Sequence, residues 1–185
     1  KSQKPGCVGI PAGPEVCIMD TNNKILNQGE EGEVCIKGEN VTSGYENNPD
    51  ANKNSFSNGW FRTGDQGYFD KDGYLKISGR LKEIINKGGE KISPLEVDNI
   101  LMDHPNIEQA VCFGYEDKML GEDIATAIII KEGMQCTEDD IKIYANEKLA
   151  KFKIPKKIFF VNEIPKGATG KLQRNTLAKK FGLVN

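Results

Sequence analysis

The chain has 185 residues, of which 37% are hydrophobic and 28% charged, with a formal net charge of −2. Those proportions belong to a folded, water-facing protein and exclude a fully disordered chain. No apolar run approaches the roughly 20 residues of a membrane span, and the first residues do not read as a secretory leader, so neither a membrane protein nor a secreted precursor is expected. This length allows one ordinary domain or two small ones. An opening at Lys1 rather than Met reads as a fragment or a processed product.

The first 79 residues read as β structure punctuated by glycine. Val16–Met19 and Glu33–Lys37 are short strand-like runs bounded by Gly, Asn and Asp. Asn48-Pro49-Asp50 opens a short helical turn, Asn58-Gly59 marks another turn, and Asp70-Lys71-Asp72-Gly73 reads as a hairpin turn ahead of Tyr74–Ser78. After Arg80 the texture changes. Ser93-Pro94-Leu95-Glu96 has the form of a capping box with proline at the first helical position, and Val97, Ile100 and Leu101 follow at helical spacing. Ala110–Phe113, Ala125–Ile130 and Ile158–Val161 are strand candidates. Thr137 with Asp140 starts a second helix carrying Ile141, Tyr144, Ala145 and Leu149, and Asn175 is expected to cap a last helix with Leu177 and Phe181. The fold class is α+β: a small β-rich, barrel-like segment over 1–80, followed by a compact α+β domain over 81–185.

Cysteines stand at 7, 17, 35, 112 and 136. None falls within the gap of about two to four residues used by zinc and redox motifs, so they read as reduced, mostly buried thiols of an intracellular protein. His104 is the only histidine, placed where a helix should end, and is expected to cap it. Charge is unevenly spread. Residues 151–185 hold nine Lys/Arg against Glu163 alone, a net +8, whereas the preceding 150 residues carry a net −10. Such a basic tail fits either a solvated lysine-rich face or a polyanionic partner. The absence of interleaved aromatics disfavours nucleic acid.

Three segments carry chemistry. In Gly59-Trp60-Phe61-Arg62-Thr63-Gly64-Asp65, a carboxylate on a glycine turn can accept from two adjacent hydroxyls, as a ribose diol offers, or it can simply close its own turn. In Gly79–Pro94, the tandem Gly88-Gly89, read as lying between strand and helix, either lets the backbone approach a ligand or is a plain turn. Ile164–Arg174 is a glycine-rich loop presenting a cation, without the glycine spacing of a phosphate-binding P-loop.

In this order and spacing, Phe61–Asp65, Gly79–Glu96 and Pro165–Arg174 resemble three core motifs of the adenylate-forming superfamily: acyl-CoA synthetases, firefly-type luciferases and nonribosomal adenylation domains. The resemblance covers essentially the whole chain and corresponds to the C-terminal part of those enzymes. Ile85–Pro94 and Lys151–Pro155 look most like the oxalate–CoA ligase branch.

The resemblance implies an ATP-dependent, AMP-forming carboxylic acid–CoA ligase, with oxalate the leading acid and fatty or aromatic acids the alternatives. A non-catalytic nucleotide- or nucleic-acid-binding module is the rival of a different class. By the resemblance, Asp65 holds the ribose hydroxyls and Arg80 contacts the ribose or adenylate. Lys171 is the adenylation lysine and also meets nucleotide, Lys82 is the hinge and lies on the nucleotide side, and Gly88 and Gly89 line the coenzyme A path. Asn86 departs from luciferases and coumarate–CoA ligases, which carry lysine there, and is given no chemical role. The family's phosphate loop, magnesium-associated acid and carboxylate pocket lie upstream in its members. The resemblance therefore places ATP, AMP and coenzyme A at this chain and magnesium elsewhere, makes the N-terminal domain a partner, and leaves 1–185 alone inactive. Cytoplasmic location is expected, with the peroxisome as the alternative.

Overall fold

The computed structural model of the chain describes residues 4–167, 170 and 172–183. It divides into two compact units, Lys1–Lys82 and Glu83–Asn185.

The first unit is a curled antiparallel sheet of five strands: β1 (Glu15–Met19), β2 (Gly32–Lys37), β3 (Phe56–Ser57), β4 (Trp60–Phe69) and β5 (Leu75–Arg80). The long β4 is its spine, pairing with β2 along one edge and with β3 and then β5 along the other. Alternation along β1 and β2 sends side chains to both faces. Cys17, Met19 and Cys35 pack with Trp60 in one cluster, and Ile18, Val34 and Leu75 form another. The turns are closed by local chemistry. Helix α1 (Pro49–Ser55) begins where the Asn48 side chain accepts the Ala51 N–H, with proline just inside. Asn58 and Gly59, at φ of 51° and 80°, make the two-residue β3–β4 hairpin. The Asp70 carboxylate accepts the Asp72 and Tyr74 amides and so nucleates the β4–β5 turn.

The second unit has three layers. Its sheet comprises β6 (Ile85–Lys87), β7 (Glu90–Ile92), β8 (Ile107–Asp117), β9 (Gly121–Ile130) and β10 (Lys157–Phe160). Strand β9 is central, antiparallel to β8 and parallel to β10, and it meets β6 at the Lys87–Gly121 pair. Helices α2 (Pro94–Met102) and α3 (Glu138–Lys148) accompany one face, and α4 (Leu177–Lys180) the other. The near-continuous apolar run of β9 follows from burial on both faces. Ile124 and Ile128 join Val97, Leu101, Ile141 and Ala145, while Ala125 and Ala127 join Phe113, Ile164 and Leu177.

Some local expectations need correction. Thr137 and Asp140 form the reciprocal capping box of α3, but Ser93 makes no side-chain capping bond at α2. The Glu96 carboxylate that such a box needs is bound instead to Lys153 Nζ at 2.6 and 2.7 Å. Asn175 lies within a 3-10 turn, Arg174–Thr176, and Thr176 stands at the N-cap of α4. His104 Nδ1 accepts the Asn106 N–H at 3.2 Å and its ring meets Tyr144 edge-on, so the side chain shapes the turn after α2 and leaves the helix carbonyls alone. All five cysteines are free, with Cys17, Cys35 and Cys112 buried; burial pushes the Cys17 thiol up to about 11 and the Cys35 thiol up to about 12. None of the described helices is long and apolar enough to cross a membrane.

Candidate functional site

Asp65 belongs to a strand, not to a turn between elements. Cys35 pairs with Arg62 and Glu33 with Gln66, so Thr63, Gly64 and Asp65 together face the single residue Val34 and bulge out of β4. Gly64, at φ 74°, supplies the left-handed residue this bulge requires. Glu33 sits beneath it. One carboxylate oxygen accepts the Gly64 N–H at 2.9 Å, and the other takes Arg62 Nε at 2.7 Å. Thr63 Oγ1 donates to the Val34 carbonyl at 2.8 Å and accepts the Asp65 N–H at 3.1 Å. With the bulge's backbone satisfied from below, the Asp65 side chain stays about one-quarter exposed, at 26%.

Asp65 stands opposite Arg80 in the β4–β5 register, and Arg80 Nε donates to its Oδ1 at 2.7 Å. The two residues expected to meet nucleotide are thus brought together. Lys82 follows directly, exposed in the 3-10 turn Leu81–Glu83 at the end of the first unit.

Gly88 and Gly89 form the two-residue turn of the β6–β7 hairpin, at φ of 61° and 96°, with Lys87 paired to Glu90. They connect two strands; the expected position between strand and helix is corrected, because β7 intervenes before α2. A primed turn needs positive φ at both positions, which explains the tandem glycines structurally. The turn also leaves the backbone accessible: a side-chain carbon at Gly89 would have open space around it, and one at Gly88 would meet only Leu120 Cδ2, at 3.4 Å. The Asn86 side chain accepts the Gly89 N–H at 3.1 Å, so at this position it acts as a turn former.

Lys171 lies outside the described residues. Lys166 and Leu172 form a bridge, and the Gly170 N–H donates to the Gly167 carbonyl at 2.9 Å. Arg174, which closes the motif, is nearly buried and reaches three groups of the second unit. Its Nη2 meets Asp98 Oδ2 at 2.6 Å, its Nη1 the Cys112 carbonyl at 2.8 Å, and its Nε Glu83 Oε2 at 3.0 Å. The other oxygen of Asp98 accepts the Cys112 N–H at 2.6 Å. Burial pushes the Asp98 carboxyl up, and the Arg174 guanidinium works against that shift.

Three networks were not legible in the sequence: Glu33 with Arg62, Asp98 with Arg174 and Glu83, and Lys87 with Asp123. Each joins residues far apart along the chain, and only the strand register reveals them. Several cations of the basic tail are also engaged internally. Lys153, Lys156 and Arg174 all pair with carboxylates of the second unit, which lowers the free positive charge a polyanion would meet. Among the described residues no group of three or more His, Cys, Asp or Glu side chains could hold a metal ion.

Comparison with known proteins finds extensive similarity. Residues 96–171 match the AMP-binding enzyme C-terminal domain. The chain is 53% identical to an oxalate–CoA ligase of Arabidopsis thaliana over 96% of its length, covering 35% of that protein. It is 51% identical to an oxalate–CoA ligase of Saccharomyces cerevisiae over 97% of its length, covering 33% of that protein. Among solved structures, the o-succinylbenzoate–CoA synthetase of Bacillus subtilis in complex with its acyl-adenylate intermediate matches with a TM-score of 0.85 at 37% identity, over 94% of this chain and 36% of that one. The chain spans about a third of the length of the curated relatives it matches.

Proposed function

We propose that the protein containing this chain is an ATP-dependent, AMP-forming carboxylic acid–CoA ligase, with oxalate as its acid. In the first half-reaction a carboxylate oxygen of the acid attacks the α-phosphorus of ATP and pyrophosphate leaves. In the second, the coenzyme A sulfur attacks the acyl carbon, AMP leaves and the thiol proton passes to solvent. Asp65 holds the ribose hydroxyls, and Arg80, oriented by that carboxylate, contacts the ribose or adenylate. Lys171 bridges the attacking carboxylate and the phosphate oxygens, where a fixed ammonium offsets crowded negative charge. Lys82 is the hinge between the two units, read as domains 1–80 and 81–185, and the Gly88–Gly89 turn lines the path of the pantetheine arm.

The observation that carries this reading is the Asp65–Arg80 pair at 2.7 Å on an outward bulge, a diol acceptor with its cation alongside. The likeness to oxalate–CoA ligases along almost all of the chain supports oxalate over fatty or aromatic acids. Magnesium is assigned to the N-terminal domain. The free cysteines support an intracellular location, read as cytoplasmic with the peroxisome as the alternative.

The test is AMP release by the full-length protein with ATP, coenzyme A and oxalate, octanoate or coumarate in turn. Oxalate is expected to drive the fastest release, and preference for either other acid reassigns the substrate. The 185-residue chain is expected to catalyse no acid-dependent pyrophosphate exchange; robust exchange by it contradicts the assignment of half the machinery to another domain.

A further inference from the structure

The Gly88–Gly89 turn is held by a ring of contacts. Along β6 the side chains alternate: Ile85 enters the core, Asn86 is exposed, and Lys87 turns back inward. The Lys87 ammonium meets Asp123 Oδ1 at 2.5 Å, with the two side chains only 14% and 2% exposed. The same oxygen accepts the Ile124 N–H at 2.8 Å, while Asp123 Oδ2 lies 3.4 Å from Lys156 Nζ. Lys156 reaches on to Asp117 Oδ2 at 3.0 Å. The other oxygen of Asp117 accepts the Met119 and Leu120 amides and so shapes the β8–β9 turn. The Leu120 carbonyl then accepts the Gly88 N–H at 2.8 Å, and the ring closes. Glu122 adds a further tie by accepting the Asn86 N–H at 2.6 Å.

A buried ion pair contributes little net stability over apolar side chains of similar volume. What it can add is direction, because a charge pair with satisfied hydrogen bonds tolerates one geometry where an apolar contact tolerates several. We propose that the buried Lys87–Asp123 pair, backed by Lys156, positions the Gly88–Gly89 turn and thereby serves the thioester-forming half-reaction alone. This rests on the ligase reading above. Lys87 and Asp123 are positioning residues and touch no substrate; their effect passes through the Gly88 backbone.

The experiment uses the full-length ligase carrying Lys87→Met and Asp123→Asn together, so that neither charge is left buried without its partner. Pyrophosphate exchange is expected to be unchanged, whereas thioester formation from supplied acyl-adenylate falls roughly 10²-fold, the scale of a small displacement of a reacting group. Lys87→Arg, which keeps the charge, is expected to retain most of the thioester rate. Equal loss of both half-reactions, or loss of neither, overturns the proposal. A second measurement needs no ligase activity. In the 185-residue chain, amide hydrogen exchange at Gly88 is expected to accelerate in the double variant while Ile124 and Ile128 in β9 keep their protection. Unaltered protection of Gly88 overturns the positioning role, whatever the full-length protein catalyses. Failure of the wild-type ligase to form any adenylate refutes the ligase reading instead.

Discussion

The two units each expose a glycine-bearing segment, and they hold it in different ways. In the first, the Thr63–Asp65 bulge lies inside a continuous strand and is fastened from beneath by Glu33 and Arg62. The sheet under it rests on two small clusters, Cys17, Met19 and Cys35 with Trp60, and Ile18, Val34 and Leu75. In the second, the Gly88–Gly89 turn is the tip of a hairpin attached to a sheet covered on both faces, and charged pairs reaching across strands hold it. A bulge within a strand fixes a carboxylate to one sheet and gives it little freedom of direction. A hairpin tip is aimed by whatever it leans on, so its geometry depends on distant residues.

This contrast predicts that charge removal costs stability in the second unit and ligand affinity in the first. The largest effect is expected for Arg174→Met, which leaves the Asp98 carboxylate buried without its cation and destabilises residues 83–185 by about 3–5 kcal/mol. Amide exchange at Val111–Phe113 reads that loss, while fluorescence of Trp60, the only tryptophan, follows the first unit and is expected to keep its urea midpoint. The deficit should shrink on acidification. Asp98 is held above its ordinary value of 3.8 by burial, and loss of Arg174 raises it further. In the range between the unfolded and folded values the native state binds more protons than the unfolded chain, so stability falls as pH rises through it and recovers as pH is lowered. A deficit that grows in acid contradicts the assignment of Asp98 as the stranded charge.

A smaller effect is expected in the first unit. Asp65→Asn keeps the side chain's size and removes its charge, and on the proposed function it weakens AMP binding to the full-length protein by about 1.5–3 kcal/mol, the scale of a hydrogen bond to a charged group. Titration calorimetry measures it. Because Asp65 is only partly buried and Arg80 is exposed, the urea midpoint followed at Trp60 is expected to hold. A collapse of that midpoint without loss of affinity shows that the pair is structural, and the contrast between the units then fails.

How much of this was legible in the sequence depended on the reach of the chemistry. Asn58-Gly59, Asp70 with its following amides, and Thr137 with Asp140 act within a few residues, and each forms the element its local pattern implies. Ser93 with Glu96 has the same local form yet is no capping box: Ser93 makes no side-chain capping bond, and the Glu96 carboxylate is bound to Lys153, 57 residues away. Glu33 and Arg62 are 29 residues apart, and Arg174 and Glu83 are 91 apart. No periodicity reports such pairs, since they are set by strand register and layer packing. The candidate site divides along the same line. Asp65, Gly88 and Gly89 stood out in the sequence as residue types and Arg80 through the family resemblance, whereas the side chains that aim them, Glu33 and the Lys87–Asp123 pair, became visible only once the sheets were assembled.

The central claim is that adenylation and thioester formation use different elements of one chain, with Lys171 serving only the first. The direct measurement compares the two half-reactions in full-length Lys171→Ala: acid-dependent pyrophosphate exchange, and thioester formation from supplied acyl-adenylate. Exchange is expected to fall about 10²–10³-fold, the worth of one charged transition-state contact, while the thioester step proceeds at close to the wild-type rate. Parallel loss of both steps, or exchange that survives the substitution, contradicts the account.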